Sequence, residues 1–140
     1  MSPEAWFSLA NVSVLPAWAM LIFAPRWRGT DILVHRLTLP LVLAVLYIYV
    51  LASSWGQLEG GFGSLREVSL LFSNPKALLA GWVHYLAFDL FVGAWETRDA
   101  AAQGLPRWLV APCLILTFML GPAGLALYVA VRAAFARGNR

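Results

Sequence analysis

Three polar residues stand within an apolar stretch near the middle of the chain. The sequence WVHYLAFDLF, from Trp82 to Phe91, contains His84, Tyr85 and Asp89. A carboxylate in hydrocarbon costs about 2.5 to 3.5 kcal/mol on insertion scales, so Asp89 must face a bundle interior, find a partner or carry a proton. A protonated carboxyl and a histidine are the groups that donate and remove protons in general acid–base catalysis. The stretch therefore predicts a proton-handling site within a membrane helix.

Helical spacing divides these residues between two faces. Trp82 and Tyr85 share the face of Asp89, because they precede it by seven and four residues. His84 lies about 140° round the helix from Asp89. The face of His84 also carries three aromatic side chains: Phe88, Phe91 and Trp95. We expect His84 and Asp89 to meet only through a ligand or a neighbouring helix.

A structural role is the alternative for the aspartate, which could hydrogen-bond to a polar residue of another span. The candidates are Asn11, Ser13, Tyr47, Tyr49, Ser53 and Thr117. A single histidine in a membrane helix is likewise more often an interhelical hydrogen-bonding group than a ligand. The other histidine, His35, is expected at an interface, so a haem or metal site is not predicted. No cofactor is predicted either.

The sequence FMLGPAGLALY, from Phe118 to Tyr128, predicts an interrupted helix. Pro122 has no amide to bond to residue 118, so we expect a kink there and a free Phe118 carbonyl. Gly121 and Gly124 allow close approach to the backbone. Such small residues suit both close helix packing and a ligand groove, and the two interpretations stay open.

Composition places the chain in a membrane. Hydrophobic residues make up 61% and charged residues 12%, against about 25% charged in soluble domains. The net charge of +3 comes from arginines in the connections and the tail, which excludes a nucleic-acid partner and makes the lipid bilayer the expected one. The single cysteine, Cys113, excludes an internal disulfide or a CxxC redox pair.

The predicted fold is an all-α bundle forming one domain over residues 1–140. Four apolar segments have the length of a membrane span, about 20 residues: 5–24, 37–55, 76–95 and 107–131. Ser64 and Glu67 have the spacing of a capping box. They predict a short helix over 65–73 that lies on the membrane surface between the second and third spans.

The amino terminus has no basic region before its first apolar segment, which favours a retained span over a cleaved signal peptide. This favours a bacterial inner membrane, or a plastid protein already trimmed. With four spans, five basic residues fall on each side of the membrane, and the basic tail favours a cytoplasmic location for both termini. A homo-oligomer is compatible with this sequence.

The blocks GWVHYLAFDLFVGAWETRDA and LPRWLVAPCLILTFMLGPAGLALY resemble the ABA4-like family of small four-helix membrane proteins. The resemblance rests on the WxHYLxFDLFVGxW pattern at Trp82 to Trp95 and the GPxGL pattern at Gly121 to Leu125. It singles out Trp82, His84, Tyr85, Asp89, Phe91, Gly93, Trp95, Gly121, Pro122 and Gly124. A plant member of this family is required to form neoxanthin from violaxanthin, so the resemblance implies a role connected with carotenoids.

The resemblance implies a membrane-embedded isomerase that needs no cofactor and acts on a carotenoid or related isoprenoid. Asp89 would be the acid, His84 the base and Tyr85 the group that orients the substrate. The polyene would lie against the following residues: Trp82, Phe88, Phe91, Trp95, Gly121, Pro122 and Gly124. The main alternative is a protein that binds carotenoid or lipid without converting it, or that assists another enzyme. A proton-coupled transporter is a third hypothesis, and it would require oligomerisation.

Overall fold

The computed structural model describes residues 1–138, and every regular element among them is helical. The predicted all-α class is therefore confirmed. The helices are α1 (Pro3–Phe23), α2 (Arg28–Thr30), α3 (Thr38–Ser53), α4 (Leu65–Phe72), α5 (Pro75–Ala102), α6 (Arg107–Leu120) and α7 (Pro122–Gly138), with a π-helical turn, Asp31–His35, between α2 and α3. The last two residues of the predicted domain, one of them Arg140, lie outside the described residues.

The starts of α4 and α5 follow from their capping residues. Ser64 Oγ accepts a hydrogen bond from the Glu67 amide at 3.2 Å, which is one half of the predicted capping box. Asn74 Oδ1 accepts from the Lys76 amide at 2.9 Å, and Pro75 takes the first helical position, where no amide is needed. The helix predicted over 65–73 is thus present as α4, and its place at a membrane surface stays a prediction.

Within residues 1–138, three helical stretches are long and apolar enough to cross a membrane: Pro3–Phe23, Arg28–Ser53 and Pro75–Ala102. The predicted fourth span, 107–131, is divided between α6 and α7. Helix α6 is apolar but has 14 residues, about 21 Å of helix, which is shorter than the hydrocarbon core of about 30 Å. A count of four spans is therefore not confirmed.

Helix α5 is the central helix of the bundle. It packs against α1, α3, α4, α6 and α7, and its inward side chains Val83, Leu86 and Leu90 are buried. Gly93 lets the Trp18 ring of α1 lie directly on the backbone, since a Cβ there would come within 2.6 Å of that ring. This packing fixes the rotation of α5, and with it the direction of every polar side chain on the helix.

The chain turns sharply at Gly121, between α6 and α7. Gly121 has φ 26° and ψ −87°, a positive φ that glycine adopts more readily than other residues. Pro122 then starts α7 at the position where proline is favoured. The helix is interrupted here as predicted, but the change in chain direction is far larger than that of a proline kink.

The contacts of α6 and α7 with α5 show that the chain reverses direction. Phe118 of α6 lies beside Tyr85, whereas Tyr128 of α7 lies beside Asp99. Between those contacts α5 advances about 21 Å towards its C-terminal end. A continuous kinked helix would have moved residue 128 away from Asp99. The prediction of one kinked span over 107–131 is therefore wrong, and α6 and α7 form a helical hairpin.

The hairpin brings the C-terminal part of α7 back to the end of the bundle where α1 finishes. Arg107 Nη2 donates to the Phe23 carbonyl at 2.6 Å, and Arg98 Nη1 donates to the His35 carbonyl at 2.8 Å. We call this the basic end, because it holds Arg26, Arg28, Arg36, Arg98, Arg107, Arg132 and Arg137, whereas the opposite end holds Arg66 and Lys76. The basic residues of 1–138 therefore divide seven to two between the ends of the bundle, not evenly as predicted, because α7 returns along α5.

Candidate functional site

The turn of the α6–α7 hairpin is held by Tyr85. Its hydroxyl lies 3.2 Å from the carbonyl oxygens of both Phe118 and Met119, to which it donates. The Phe118 carbonyl is the group that Pro122 leaves without an amide partner, as the sequence predicted. Tyr85 therefore donates to backbone oxygens at the turn, where the helical hydrogen bonding of α6 ends.

Asp89 lies one turn beyond Tyr85 and packs against the hairpin turn. A Cβ placed on Gly121 would lie 2.6 Å from Asp89 Oδ1 and 2.9 Å from Oδ2. The side chains of Tyr85 and Asp89 are also neighbours, with the Tyr85 hydroxyl next to the Asp89 carboxyl group. The predicted proximity of Asp89 to the Gly-Pro pair is found, as a direct contact between the carboxyl and the glycine backbone.

Asp89 Oδ2 is buried and has no hydrogen-bond partner within residues 1–138. The six polar residues considered as structural partners bond elsewhere or are not in contact with it. Asn11 accepts from the Trp82 indole, Ser13 and Ser53 donate to carbonyls of their own helices, and Thr117 donates to Glu96. The interhelical bond that the structural alternative requires is therefore not found for Oδ2 among residues 1–138.

An aromatic path leads from Asp89 towards the start of the bundle. The Trp82 ring lies 5.3 Å from Tyr85 and 5.5 Å from Phe7, measured between centroids. Trp82 also borders an apolar groove of about 340 Å³ between the first turns of α1 and α5. The groove is lined by Pro3, Glu4, Phe7, Ser8, Pro75, Leu78, Leu79 and Trp82. Its volume lies within the range of about 300 to 1,000 Å³ that is usual for small-molecule sites.

His84 points away from Asp89, towards α3. Its ring stacks on Phe88 at 4.6 Å and lies 5.9 Å from Tyr47. His84 is exposed, as are Phe88 and Phe91. The structure therefore does not bring His84 and Asp89 together within one chain.

Two further predicted contact residues have packing roles. Trp95 contacts α7, with its ring 5.5 Å from Tyr128. A Cβ on Gly124 would collide with the backbone and hydroxyl of Thr117. Gly124 therefore serves close packing within the hairpin, which is the first of the two interpretations left open by the sequence.

Glu96 has no role predicted from the sequence, yet its side chain is fully buried at 0% exposure. The Thr117 hydroxyl lies 2.9 Å from Glu96 Oε1 and 3.1 Å from Oε2. Glu96 follows Asp89 by seven residues, so both carboxyls face the hairpin. That spacing was the signal that could have predicted the burial of Glu96.

Asp99 completes the acidic face of α5, and it is paired. The Tyr128 hydroxyl donates to Asp99 Oδ2 at 2.6 Å, and Arg132 Nε lies 3.2 Å from the same oxygen. No three His, Cys, Asp or Glu side chains are grouped as a metal site within residues 1–138. The three acids of α5 thus differ: Asp89 Oδ2 has no partner among residues 1–138, Glu96 accepts from Thr117, and Asp99 Oδ2 contacts both Tyr128 and Arg132.

Comparison with known proteins identifies the family. A family model described as ABA DEFICIENT 4-like matches residues 5–128. The chain belongs to the ABA4-like family. Protein ABA DEFICIENT 4, chloroplastic, of Arabidopsis thaliana is 28% identical over 118 residues, which cover 78% of this chain and 54% of that protein. The chain thus spans about half the length of this relative. No solved structure matches the chain.

The match to the ABA4-like family extends beyond the two blocks that carried the resemblance in the sequence. It begins at residue 5 and so includes α1 and α3. The groove beside Trp82 and the contact between Asp89 and Gly121 both lie largely within the matched range.

Proposed function

We propose that this ABA4-like protein binds a carotenoid or related isoprenoid within the bilayer and isomerises it at Asp89. The observation that carries the proposal is the buried Oδ2 of Asp89, which lies beside the Gly121 backbone and has no hydrogen-bond partner among residues 1–138. A membrane helix retains such a group at a cost of several kcal/mol, about 2.5 to 3.5 on insertion scales, so a function for it is the default hypothesis. Family membership supports the class of substrate, because a resemblance to the ABA4-like family implies a role connected with carotenoids.

The groove between α1 and α5 suits one end of a long apolar substrate. Its wall is mostly apolar, and Glu4 and Ser8 supply polar groups at its outer part. The ring of a polyene could pass from this groove along Phe7 and Trp82 to Tyr85 and so approach Asp89. Apolar walls with a few convergent polar groups are the usual composition of such sites.

The opening of an epoxide to an allenic alcohol illustrates the chemistry. Asp89, neutral in hydrocarbon, gives its proton to the epoxide oxygen as the carbon–oxygen bond breaks. The carboxylate then takes a proton from the adjacent carbon, and the electron pair of that carbon–hydrogen bond forms the new double bond. Mass and oxidation state are unchanged, and Asp89 returns to its starting form. One carboxyl performs both transfers, so His84 is not needed in the same pocket.

Tyr85 has a positioning role in this scheme. Its proton is directed to the Phe118 and Met119 carbonyls, so its oxygen remains free to accept a hydrogen bond. The hydroxyl therefore fixes the hairpin turn and can orient either Asp89 or a ring hydroxyl of the substrate.

A binding protein without catalysis is the second candidate function, and the separation of His84 from Asp89 favours it over a mechanism in which His84 is the base. A general acid and a general base on opposite faces of α5 cannot serve one substrate within one chain. The same groove and aromatic residues would then hold a pigment or deliver it to another enzyme. The exposed face of His84, Phe88 and Phe91 would face lipid or a second copy of the chain.

The test is purification from a carotenoid-producing host, followed by the absorption spectrum and mass of the extracted pigment. We expect a product of unchanged mass with an altered spectrum, and at least a roughly 100-fold loss of product formation in Asp89→Asn. Asp99→Asn is the matched control. Asp99 is paired with Tyr128 and Arg132, so this variant should leave the product unchanged. Pigment that is bound but not altered supports the binding function. An unchanged product in Asp89→Asn rules out the catalytic proposal.

The membrane in which the protein works is also a proposal. The predicted bacterial inner membrane gains no support from the comparisons, because the named relative is chloroplastic. A chloroplast membrane is the better-supported location. Within it we propose that α1, α3 and α5 cross the bilayer, while the α6–α7 hairpin enters and leaves at the basic end and α4 lies at the opposite surface.

A further inference from the structure

A second cavity, of about 190 Å³, opens at the basic end of the bundle. Its apolar wall comes from α1 and α6 and includes Ile22, Val110 and Leu114. Four basic side chains complete the lining: Arg26, His35, Arg98 and Arg107. Arg98 lies nine residues beyond Asp89, about 13 Å along α5, so this cavity is separate from the proposed carotenoid site. It is also smaller than the usual site for a whole small molecule, which starts at about 300 Å³.

The arginines that line this cavity form no ion pair with a carboxylate of the described chain. Arg107 caps the end of α1 through the Ile22 and Phe23 carbonyls, and Arg98 bonds to the His35 carbonyl. Each of these bonds goes to a neutral oxygen and occupies only part of a guanidinium with five donors. The two ion pairs of the described chain involve other arginines, Arg36 and Arg132. The cavity therefore concentrates positive charge without a carboxylate to balance it.

His35 adds an unsatisfied polar atom to the same wall. Its Nε2 lies 3.1 Å from the Pro25 carbonyl, and because a carbonyl only accepts, Nε2 carries the proton. Nδ1 is then an acceptor in the neutral ring, and it is buried with no partner in the described part of the chain. Buried polar atoms are nearly always satisfied, so a donor from a ligand or a water is expected here.

The position of the cavity indicates the kind of anion. Seven of the ten lysines and arginines lie at the basic end, and an excess of positive charge marks the side of a membrane protein that is not translocated. Basic pockets between membrane helices on that side bind the head groups of anionic lipids. An apolar wall below the guanidinium groups is suited to the first part of an acyl chain.

We propose that this cavity binds an anionic phospholipid, with the phosphate between Arg26, Arg98 and Arg107 and the start of one acyl chain against Ile22, Val110 and Leu114. A hydroxylated head group such as glycerol would also supply a donor near His35. Bound there, the lipid joins the end of α1, the connection 24–37 and the start of α6, and so stabilises the base of the hairpin.

The test is native mass spectrometry of the full chain in detergent, titrated with dioctanoyl phosphatidylglycerol. We expect one lipid to bind, and affinity to fall about fivefold for each arginine removed, as for a basic residue at an anionic surface. Arg26→Gln is the first variant, because Arg26 is exposed and caps no helix. Arg28→Gln, in the same connection but outside the cavity, is the matched control and should bind as the native chain does. An equal loss in both variants would overturn the site.

Two further comparisons test the nature of the ligand. Ala101→Trp fills the cavity wall, and Ala102→Trp places the same ring on the adjacent exposed residue outside it; we expect only the first to weaken binding. Dioctanoyl phosphatidylcholine should bind at least about fivefold more weakly than phosphatidylglycerol, and equal binding would show that the cavity recognises only hydrocarbon. Displacement of the lipid by millimolar inorganic phosphate would show a free-anion site and overturn the lipid proposal.

Discussion

Asp89 and Asp99 lie ten residues apart on α5, and both contact the α6–α7 hairpin in very different surroundings. Asp99 receives the Tyr128 hydroxyl at 2.6 Å and pairs with Arg132 at 3.2 Å. Asp89 has a buried oxygen with no partner in the described chain, and it packs on the bare backbone of Gly121. The hairpin therefore uses one aspartate as an anchor and leaves the other available.

The difference follows from which residues of the hairpin meet each aspartate. Near the basic end α7 presents a tyrosine and an arginine, which can donate to a carboxylate. At the turn, the hairpin presents proline, which has no amide hydrogen, carbonyl oxygens, which only accept, and Gly121, whose amide already donates to the Thr117 carbonyl. A paired carboxyl stabilises the fold, and an unpaired one is costly unless it is used. Substitutions along the hairpin should therefore separate stability from function.

The largest effect on stability is expected for Gly121→Ala. A side chain at Gly121 would need a positive φ and would collide with the Asp89 carboxyl, so we expect a loss of about 2 to 4 kcal/mol in the free energy of unfolding. The measurement is unfolding in mixed micelles with increasing sodium dodecyl sulfate.

A matched control separates backbone strain from the collision at Gly121. Gly56 has φ +79° and no atom within 4 Å of the position that an added Cβ would take, so Gly56→Ala reports the strain alone. Asp89→Ala should recover part of the Gly121→Ala loss, because it removes the colliding group. If Gly56→Ala loses as much free energy of unfolding as Gly121→Ala, and Asp89→Ala recovers none of the loss, the collision with Asp89 does not contribute to the effect of Gly121→Ala.

Thr117→Val should have the next largest effect. It removes the hydroxyl that donates to the fully buried Glu96, and a buried polar group without its partner costs about 1 to 2 kcal/mol. Thr97→Val is the control, since the Thr97 hydroxyl bonds only to the Gly93 carbonyl of its own helix. Equal losses for the two valine variants would show that Thr117 does not support Glu96.

Tyr128→Phe should have a smaller effect. Asp99 loses one donor but keeps Arg132, so we expect a loss of about 0.5 to 1.5 kcal/mol in the free energy of unfolding. Tyr49→Phe is the control, because Tyr49 is 57% exposed. Pigment composition should be the same in both variants, and a changed pigment in Tyr128→Phe would mean that Asp99 also takes part in function.

The helices and the faces of α5 could be predicted from the sequence, because both depend on local information. The capping residue Ser64 set the start of α4, and a period of about 3.6 residues placed Trp82 and Tyr85 with Asp89 and apart from His84. The unpaired Phe118 carbonyl was also predictable, since it depends only on the missing amide of Pro122.

The hairpin could not be predicted in the same way, because a kink and a full reversal share the local signal of Gly121 followed by Pro122. Glycine just past a helix end and proline at the start of the next helix also mark two separate helices. The choice depends on distant contacts, of which the bond between Tyr128 and Asp99 is the clearest. The error had two consequences: a continuous span put Arg132 and Arg137 at the wrong end of the bundle, and the burial of Glu96 was not predicted.

Asp89→Asn should have the smallest effect on stability and the largest on function. The amide keeps the shape of the carboxyl, and the buried Oδ2 that it replaces has no partner in the described chain, so we expect the free energy of unfolding to change by less than about 0.5 kcal/mol. Asp99→Asn weakens a real ion pair and should cost more, although it should leave the pigment unaltered. The two asparagine variants, measured for unfolding and for pigment, therefore give opposite patterns if the comparison holds. A stability loss in Asp89→Asn equal to that in Asp99→Asn would mean that Asp89 is an anchor as well, and the proton-handling role would lose its structural basis.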